Sequence, residues 1–318
     1  MGSVRWAFRC KSWTPSRSDW LFAARCVQPE EKERIGQFVF TKDAKSAMVG
    51  RLLLRRFVCE RMGIPWTEIR LERSPRGKPY LADPPKISPH CDRSWSFNIS
   101  HQGDYVVLAA DRGVQVGVDL MKVSMPGSSS VPEFFRIMTR QFTPHEWSVI
   151  QSAGSEREQL ATFHRHWTLK ESFIKAIGTG LGFNLQRVEF HLSPEPLRPG
   201  SVLRQTKMLL DEEPEEAWIF EESMLDADHH VAIAMGPPDE ARSAVRTLHI
   251  CAYVGGRTEV FMISEGAGIY YVRALASRIF RNIFKTFHIQ FLFCLPEFGL
   301  LACSSSSSSQ PVHAAVVQ

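Results

Sequence analysis

The sequence predicts an α+β protein made of two halves, and three observations lead there. Short strands with alternating hydrophobicity cluster twice, near 95–121 and again near 188–235. An amphipathic helix accompanies each cluster, at 43–62 and at 160–177. Between the two sets lies a Gly/Ser/Pro stretch, Met125–Ser130, that reads as a seam. We therefore read residues 1–124 as one α+β subdomain, 125–240 as a second, and 241–318 as an atypical, poorly ordered tail. No internal repeat is strong enough to establish duplication.

Taken in order, residues 4–10 alternate as a strand, and Pro29–Arg34 opens a charged helix. Asp43–Met62 is the clearest early helix: Ala47, Met48, Leu52, Leu54, Phe57 and Val58 give it an apolar face, and Gly63 with Pro65 ends it. Its Arg51, Arg55 and Arg56 read as a solvated face. Ile69–Leu81 reads as a basic loop with a Pro-Arg-Gly turn, and 83–94 as a Pro-rich surface loop. Trp95, Phe97 and Ile99 alternate with Ser96, Asn98 and Ser100, the pattern of a half-buried strand, and strands at 105–110 and 114–121 follow. Gly117 leaves room beside Asp119 for a ligand or a metal. Helices are expected at 131–140 and 143–152, the second capped by Thr143 with Pro144 at its first position. Strands at 188–192, 217–222 and 230–235 complete the second half, with His229 and His230 as ordinary strand-end residues.

Composition removes several classes. Hydrophobic residues at 44% and charged residues at 23% fit a folded globular chain and exclude a disordered one. The net charge of +4 suits an anionic ligand or an acidic partner but is far too small for a nucleic-acid binder. Seven scattered cysteines without a CxxC pair read as reduced thiols, so a cytosolic location is expected. We see no secretory signal, and Ala7 stands where a myristoylation motif wants Ser or Thr. The apolar window 289–303 is too short to span a bilayer, so no membrane role is expected.

The chemistry-bearing stretch is His166–Gly182, HWTLKESFIKAIGTGLG. Glu171 and Lys175 are one helical turn apart, which alone describes an ordinary surface ion pair. His101 at a strand end and Asp119 on an edge strand are equally unremarkable singly. The crowded cations Arg70, Arg73, Arg76 and Lys78 suit phosphate oxygens, since a guanidinium can donate two parallel bonds to them.

Together, the GKP segment at 77–79, NISH at 98–101, VGVDLM at 116–121 and WTLKESFIKAIGTG at 167–180 resemble the 4′-phosphopantetheinyl transferases of the large single-chain class. The paired signature is Gly117 and Asp119, then, about fifty residues on, Trp167, Lys170, Glu171 and Lys175. The resemblance covers roughly 3–236. It implies two similar α+β halves with coenzyme A in the cleft between them. It also implies magnesium-dependent transfer of the phosphopantetheine arm to a serine of an acyl carrier domain, releasing adenosine 3′,5′-bisphosphate. By the same resemblance Asp119 and Glu171 are the magnesium ligands, Glu171 the general base, Lys175 the stabiliser of the pyrophosphate and His101 a phosphate contact. Arg34, Arg73 and the segment Ser74, Pro75, Arg76, Gly77 and Lys78 are implied coenzyme A contacts, with Asn98, Ile99 and Ser100 lining the same site.

The implied carriers are those of fatty acid synthase, the mitochondrial acyl carrier protein and aminoadipate-semialdehyde dehydrogenase, modified by a monomer. Met121 departs from the second acidic residue of many bacterial relatives, and a thioether is a poor magnesium ligand, so water is expected there. Three alternatives compete: a catalytically inactive coenzyme A binder, an acyl-carrier-binding scaffold, and a magnesium-dependent phosphohydrolase. The first would be expected to have lost Asp119, Glu171 or Lys175, the second to tolerate alanine at Glu171, and the third to carry more acidic ligands.

Overall fold

The computed structural model describes residues 2–74, 77–82, 94–125, 127, 129–237 and three strands further on, at 251–255, 260–264 and 267–272. The first half contains β1 (Val4–Arg9), α1 (Arg17–Arg25), α2 (Pro29–Gly36), α3 (Thr41–Met62), β2 (Leu71–Arg73), β3 (Pro79–Leu81), β4 (Trp95–Gln102) and β5 (Tyr105–Arg112). The second contains β6 (Val116–Lys122), α4 (Val131–Ile137), α5 (Pro144–Gln151), α6 (Glu156–Ile177), β7 (Val188–His191), β8 (Val202–Leu203), β9 (Lys207–Leu210), β10 (Glu213–Pro214), β11 (Ile219–Met224) and β12 (His229–Met235). The three later strands are β13 (Cys251–Gly255), β14 (Val260–Ser264) and β15 (Ala267–Val272); β13 runs parallel to β1, and β14 pairs with β15.

Two four-stranded sheets organise the halves, ordered β13-β1-β5-β4 and β6-β12-β11-β8. Alternation along β5 explains the layering. Leu108 and Ala110 pack with Leu54, Phe57 and Val58 of α3, whereas Tyr105, Val107 and Ala109 pack with Val116, Val118 and Leu120 of the second sheet. On the far side of that sheet Leu169, Phe173 and Ala176 of α6 pack with Ala232 and Ala234. The order of layers is thus α3, sheet, sheet, α6.

The seam differs from the expected one. β6 belongs to the second sheet through its full antiparallel pairing with β12, so the halves divide near residue 114. Met125–Ser130 instead connects β6 to α4 within the second half. The segment looks like a linker because it is a solvated loop, and loop composition does not reveal which sheet the preceding strand joins.

β4 and β6 are the edge strands that meet, and side chains join them. The backbone N–H groups of Val116, Val118 and Lys122 donate to Ser96 Oγ (3.2 Å), Asn98 Oδ1 (3.0 Å) and Gln102 Oε1 (2.6 Å). The polar face of the 95–100 alternation therefore fastens two edges instead of meeting water, which also blunts both edges against further pairing. At the opposite side of the junction Arg5 donates from Nε to Glu221 Oε2 at 2.9 Å, both side chains buried.

Other expectations are corrected. Arg51 and Arg55, read as solvated, are buried at 6% exposure each. Arg55 donates to the carbonyls of Ile69 and Trp66, and Arg51 pairs with Glu31. The basic loop at 69–81 is a hairpin, β2 with β3, in which Gly77 at φ 81° takes the turn conformation that glycine adopts without strain. The helix expected over 131–140 stops at Ile137, where a short 3-10 turn takes over. His229 and His230 are buried: His229 Nδ1 meets Asp226 at 2.8 Å while its Nε2 accepts from the Asp104 N–H, and His230 meets Glu222 at 3.2 Å. The Pro-rich loop at 83–93 lies outside the described residues. No helix among the described residues is long and apolar enough to cross a membrane.

Candidate active site

The site forms where α6 crosses β6. Helix α6 starts with a capping box, Ser155 with Glu158, and ends at Gly178 in the left-handed conformation at φ 69°. Its buried side carries Lys170, at 1% exposure, whose ammonium donates to the carbonyls of Leu185 (2.8 Å) and Val188 (2.6 Å) and pairs with Glu146 Oε2 at 2.7 Å. Glu146 in turn accepts from the N–H groups of Phe190 and Thr143. Burial works to raise the Glu146 carboxyl, but His166 and Lys170 more than offset it and hold it below the usual range. The Lys-Glu dipeptide thus points two ways: Lys170 ties α6 to α5 and β7, while Glu171, about 100° further round the helix, lines a cleft.

Gly117 fixes the distance between helix and strand. A Cβ there would lie 2.0 Å from the Ser172 carbonyl oxygen and 2.4 Å from the Ala176 nitrogen, both backbone atoms of α6. The room left by this glycine is filled by the helix, not by a ligand, and that correction gives the Gly-x-Asp spacing its purpose. Asp119, two residues on and on the same strand face, is brought against the turn carrying Glu171 and Lys175.

Asp119 is 5% exposed. Its Oδ1 accepts from Lys175 Nζ at 2.5 Å and from Ser100 Oγ at 3.0 Å, while Oδ2 is buried without a partner. Lys175 also donates to Ser100 Oγ at 3.0 Å. The Glu171 carboxyl is pushed upward by burial and by the neighbouring charge of Asp119, with Lys175 opposing. An orphaned carboxylate oxygen beside a second carboxyl that resists ionisation is the donor set a hard divalent cation satisfies, so these residues fit magnesium. Met121, half-buried beyond Asp119 on the same strand face, offers only a thioether.

A cleft of ≈ 510 Å³ opens over this centre, bounded by Gly77, Lys78, Asn98, Ile99, Glu171 and Lys175 among others. That volume suits a cofactor-sized ligand. Trp167 and Gln141 also line it; the Trp of W-x-x-K-E was legible as part of the motif, whereas Gln141 carried no sequence signal. The Lys78 ammonium turns to α6, donating to the carbonyls of Lys175 (3.0 Å) and Ala176 (3.3 Å), and burial lowers its proton affinity. Ser74 shapes the hairpin: its N–H donates to the Lys78 carbonyl and its Oγ accepts from the Lys78 N–H. Pro75 and Arg76 lie outside the described residues.

A second cluster gathers three guanidinium groups on one carboxylate. Glu31 meets Arg34 at 2.9 Å, Arg51 at 3.3 Å and Arg73 at 3.2 Å, an excess of cations suited to an anionic group. Arg34 and Arg73 were legible in the sequence; Arg51 and Glu31 were missed as site components, although Arg51 faces Glu31 from mid-helix. His101 has both clusters in its electrostatic surroundings. Crowding by protein lowers its proton affinity first, and Lys175, Arg34 and Arg51 lower it further against Asp43. The predicted residues therefore fall into a carboxylate–lysine centre and an arginine centre, with His101 sensing both.

Known proteins give this arrangement a family. The model of the 4′-phosphopantetheinyl transferase N-terminal domain matches residues 11–113, and that of the 4′-phosphopantetheinyl transferase superfamily matches 115–234, so the match divides where the two sheets divide. L-aminoadipate-semialdehyde dehydrogenase-phosphopantetheinyl transferase of Xenopus laevis is 58% identical over 239 residues, 75% of this chain and 78% of the relative. Its counterpart in Homo sapiens is 57% identical over 242 residues, 76% and 77% of the two chains. A phosphopantetheinyl transferase of Thraustochytrium is 37% identical over 235 residues, 72% and 77%. With both halves matched and their motif residues converging on one cleft, this chain belongs to the 4′-phosphopantetheinyl transferase superfamily.

Proposed function

We propose that this chain moves the 4′-phosphopantetheine arm of coenzyme A onto a serine of an acyl carrier domain, with Asp119, Glu171 and Lys175 at the reacting centre. One observation carries the assignment of roles: Asp119 keeps a buried oxygen unpartnered beside Glu171, whose carboxyl is raised in pKa, with Lys175 bonded to Asp119 at the cleft wall. Asp119 and Glu171 would hold magnesium, which when bound neutralises pyrophosphate charge. Glu171, which lines the cleft, accepts the proton of the carrier serine, directly or through water. The serine oxygen bonds to the β-phosphorus as the bond to the bridging oxygen breaks and adenosine 3′,5′-bisphosphate departs. Lys175 stabilises the charge that develops on that leaving group.

His101, Arg34 and Arg73 receive the phosphates at the nucleotide end. Lys78 acts on the same site by holding the carbonyls of the turn that carries Lys175. Asn98 and Ser100 serve doubly, as cleft-side residues and as bonds to β6.

The dehydrogenase named for the animal relatives is a carrier we assign to this chain, together with the carrier domain of fatty acid synthase and the mitochondrial acyl carrier protein. With those carriers its roles would lie in lysine catabolism and fatty acid biosynthesis, and we take it to act as a cytosolic monomer. We take residues 241–318 as dispensable to transfer, because they lie beyond the family match that ends at residue 234, even though β13 borders β1.

Purified full-length protein incubated with coenzyme A, magnesium and an apo carrier domain tests the reading through the carrier's intact mass. Gain of one phosphopantetheine arm that Glu171→Ala abolishes is expected. Bound coenzyme A without transfer would establish the inactive binding module instead. A chain ending at residue 244 should transfer equally well, and complete loss there would overturn the role given to the tail.

A further inference from the structure

We propose that His145, Glu189 and His191 form a binding site for a divalent transition-metal ion of the zinc class, outside the cleft and separate from the magnesium centre. Their ligand atoms all lie within 4.8 Å of one another, and no other such group of three occurs among the described residues. Glu189 and His191 are two apart on β7 and share the face turned from the core, since Val188 and Phe190 are buried. His191 Nε2 is already 2.9 Å from Glu189 Oε1. The imidazoles of His145 and His191 stack with centroids 4.3 Å apart at 15°. Ligand atoms around a tetrahedral zinc stand roughly 3.3 Å apart. His145 is solvent-exposed, so its side chain has room to turn toward the other two.

The frame around these side chains is locked. Thr143, the N-cap of α5, donates from Oγ1 to Glu189 Oε2 at 2.6 Å, the kind of outer contact that orients a ligating carboxylate. One residue along from His145, Glu146 accepts from the Phe190 N–H at 3.0 Å, so the first turn of α5 is pinned to β7 independently of any ion. Two imidazoles and one carboxylate, with a fourth position open to water, select zinc-class ions, whereas magnesium prefers all-oxygen donors. An ion bound here would cross-link α5 to the strand whose Val188 carbonyl receives Lys170, adding a clasp beside the motif helix.

Cobalt(II) reports the site directly, because four-coordinate cobalt absorbs visibly where the hexa-aquo ion is pale. Tag-free, full-length protein stripped with chelator is titrated with cobalt in excess magnesium, then with zinc. We expect intense d–d bands saturating at one equivalent and displaced by zinc. His145→Ala and His191→Ala should each weaken cobalt binding by more than the roughly 10–100-fold typical of losing an outer contact. Thermal unfolding of the metal-free proteins checks the frame. His145 is exposed, so His145→Ala decides the outcome even if His191→Ala weakens the fold. Absence of the bands in the parent protein, or an affinity unchanged in His145→Ala, would overturn the proposal and leave these residues a hydrogen-bonded surface cluster.

Discussion

Replacing Gly117 by alanine tests whether helix–strand contact distance, and not ligand access, is what this glycine provides. The new Cβ would stand 2.0 Å from the Ser172 carbonyl oxygen, about 1.4 Å inside the 3.4 Å of ordinary contact. The three nearest atoms, the Ser172 carbonyl oxygen and the Ala176 nitrogen and Cα, are all backbone, so no side-chain rotation relieves the clash, and α6 must lift from β6 by on the order of an ångström. Overpacking of this kind costs about 1–3 kcal/mol. Because Ser172 lies between Glu171 and Lys175 on that helix, the lift separates both from Asp119, and a displacement of about 1 Å at a reacting centre costs about 10²-fold in rate. Intact-mass transfer kinetics and chemical denaturation of the same protein should show both losses. Gly36→Ala is the control: it closes α2, where a Cβ meets nothing within 4 Å, and should leave rate and stability close to the parent. Full transfer activity in Gly117→Ala would refute the account of how Gly-x-Asp positions Asp119.

Glu171→Gln should lower the transfer rate by about 10²–10⁴-fold, the usual worth of a general base. The Glu171 carboxyl is raised above its ordinary value of 4.5, so the native state holds this proton longer than the unfolded state does. Stability from this group therefore falls as pH rises from 4.5 through the higher native value. Metal-free Glu171→Gln should accordingly melt higher than the parent at neutral pH, with the gap closing in acid, and magnesium should stabilise the parent more than the variant; an unchanged melting profile counts against the carboxylate pair. Lys170→Met leaves Glu146 buried, at 0% exposure, without its cation and should cost about 3–5 kcal/mol in urea denaturation. A loss near zero would mean that the Lys170–Glu146 pair does not tie α6 to α5. Asn98→Ala strips the acceptor from the buried Val118 N–H and should cost about 1–3 kcal/mol, read by the same denaturation.

Local signals were legible in the sequence where a residue's neighbours along the chain determine its state. Thr143 with Pro144 announced α5, the apolar face of 43–62 announced α3, and alternation announced β4 to β6. Two capping boxes could have been read the same way and were not: Ser16 with Asp19 opens α1, and Ser155 with Glu158 starts α6 a turn before the apolar stripe does. Other features depend on contacts between distant segments. Nothing local distinguishes Arg51, buried against Glu31, from Arg56, which pairs with Glu60 on the helix surface. The polar face of β4 likewise looks like any solvated face, because its partner β6 lies beyond a hairpin turn in another sheet. Motif spacing pointed to Lys78, Asn98, Ile99, Glu171 and Lys175, which line one cleft; the separate arginine centre gathers on Glu31, which spacing does not mark.

The junction of the halves explains why the motif residues can act together. Sheets packed through Val107, Ala109, Val118 and Leu120 alone could slide by a pleat with little change in buried apolar area. Directional bonds at both sides of the junction remove that freedom: Ser96, Asn98 and Gln102 fix the rise of β4 against β6, and the buried Arg5–Glu221 pair fixes the far side. A slip of one residue would leave three β6 N–H groups and a buried charge pair unsatisfied, each costing about 1–3 kcal/mol or more. Ser100, in the same alternating row, is the exception that reveals the purpose. Its hydroxyl donates to Asp119 Oδ1, with Lys175 Nζ 3.0 Å away, so the row that sets the register of the two halves also sets the acidic ligand against its lysine.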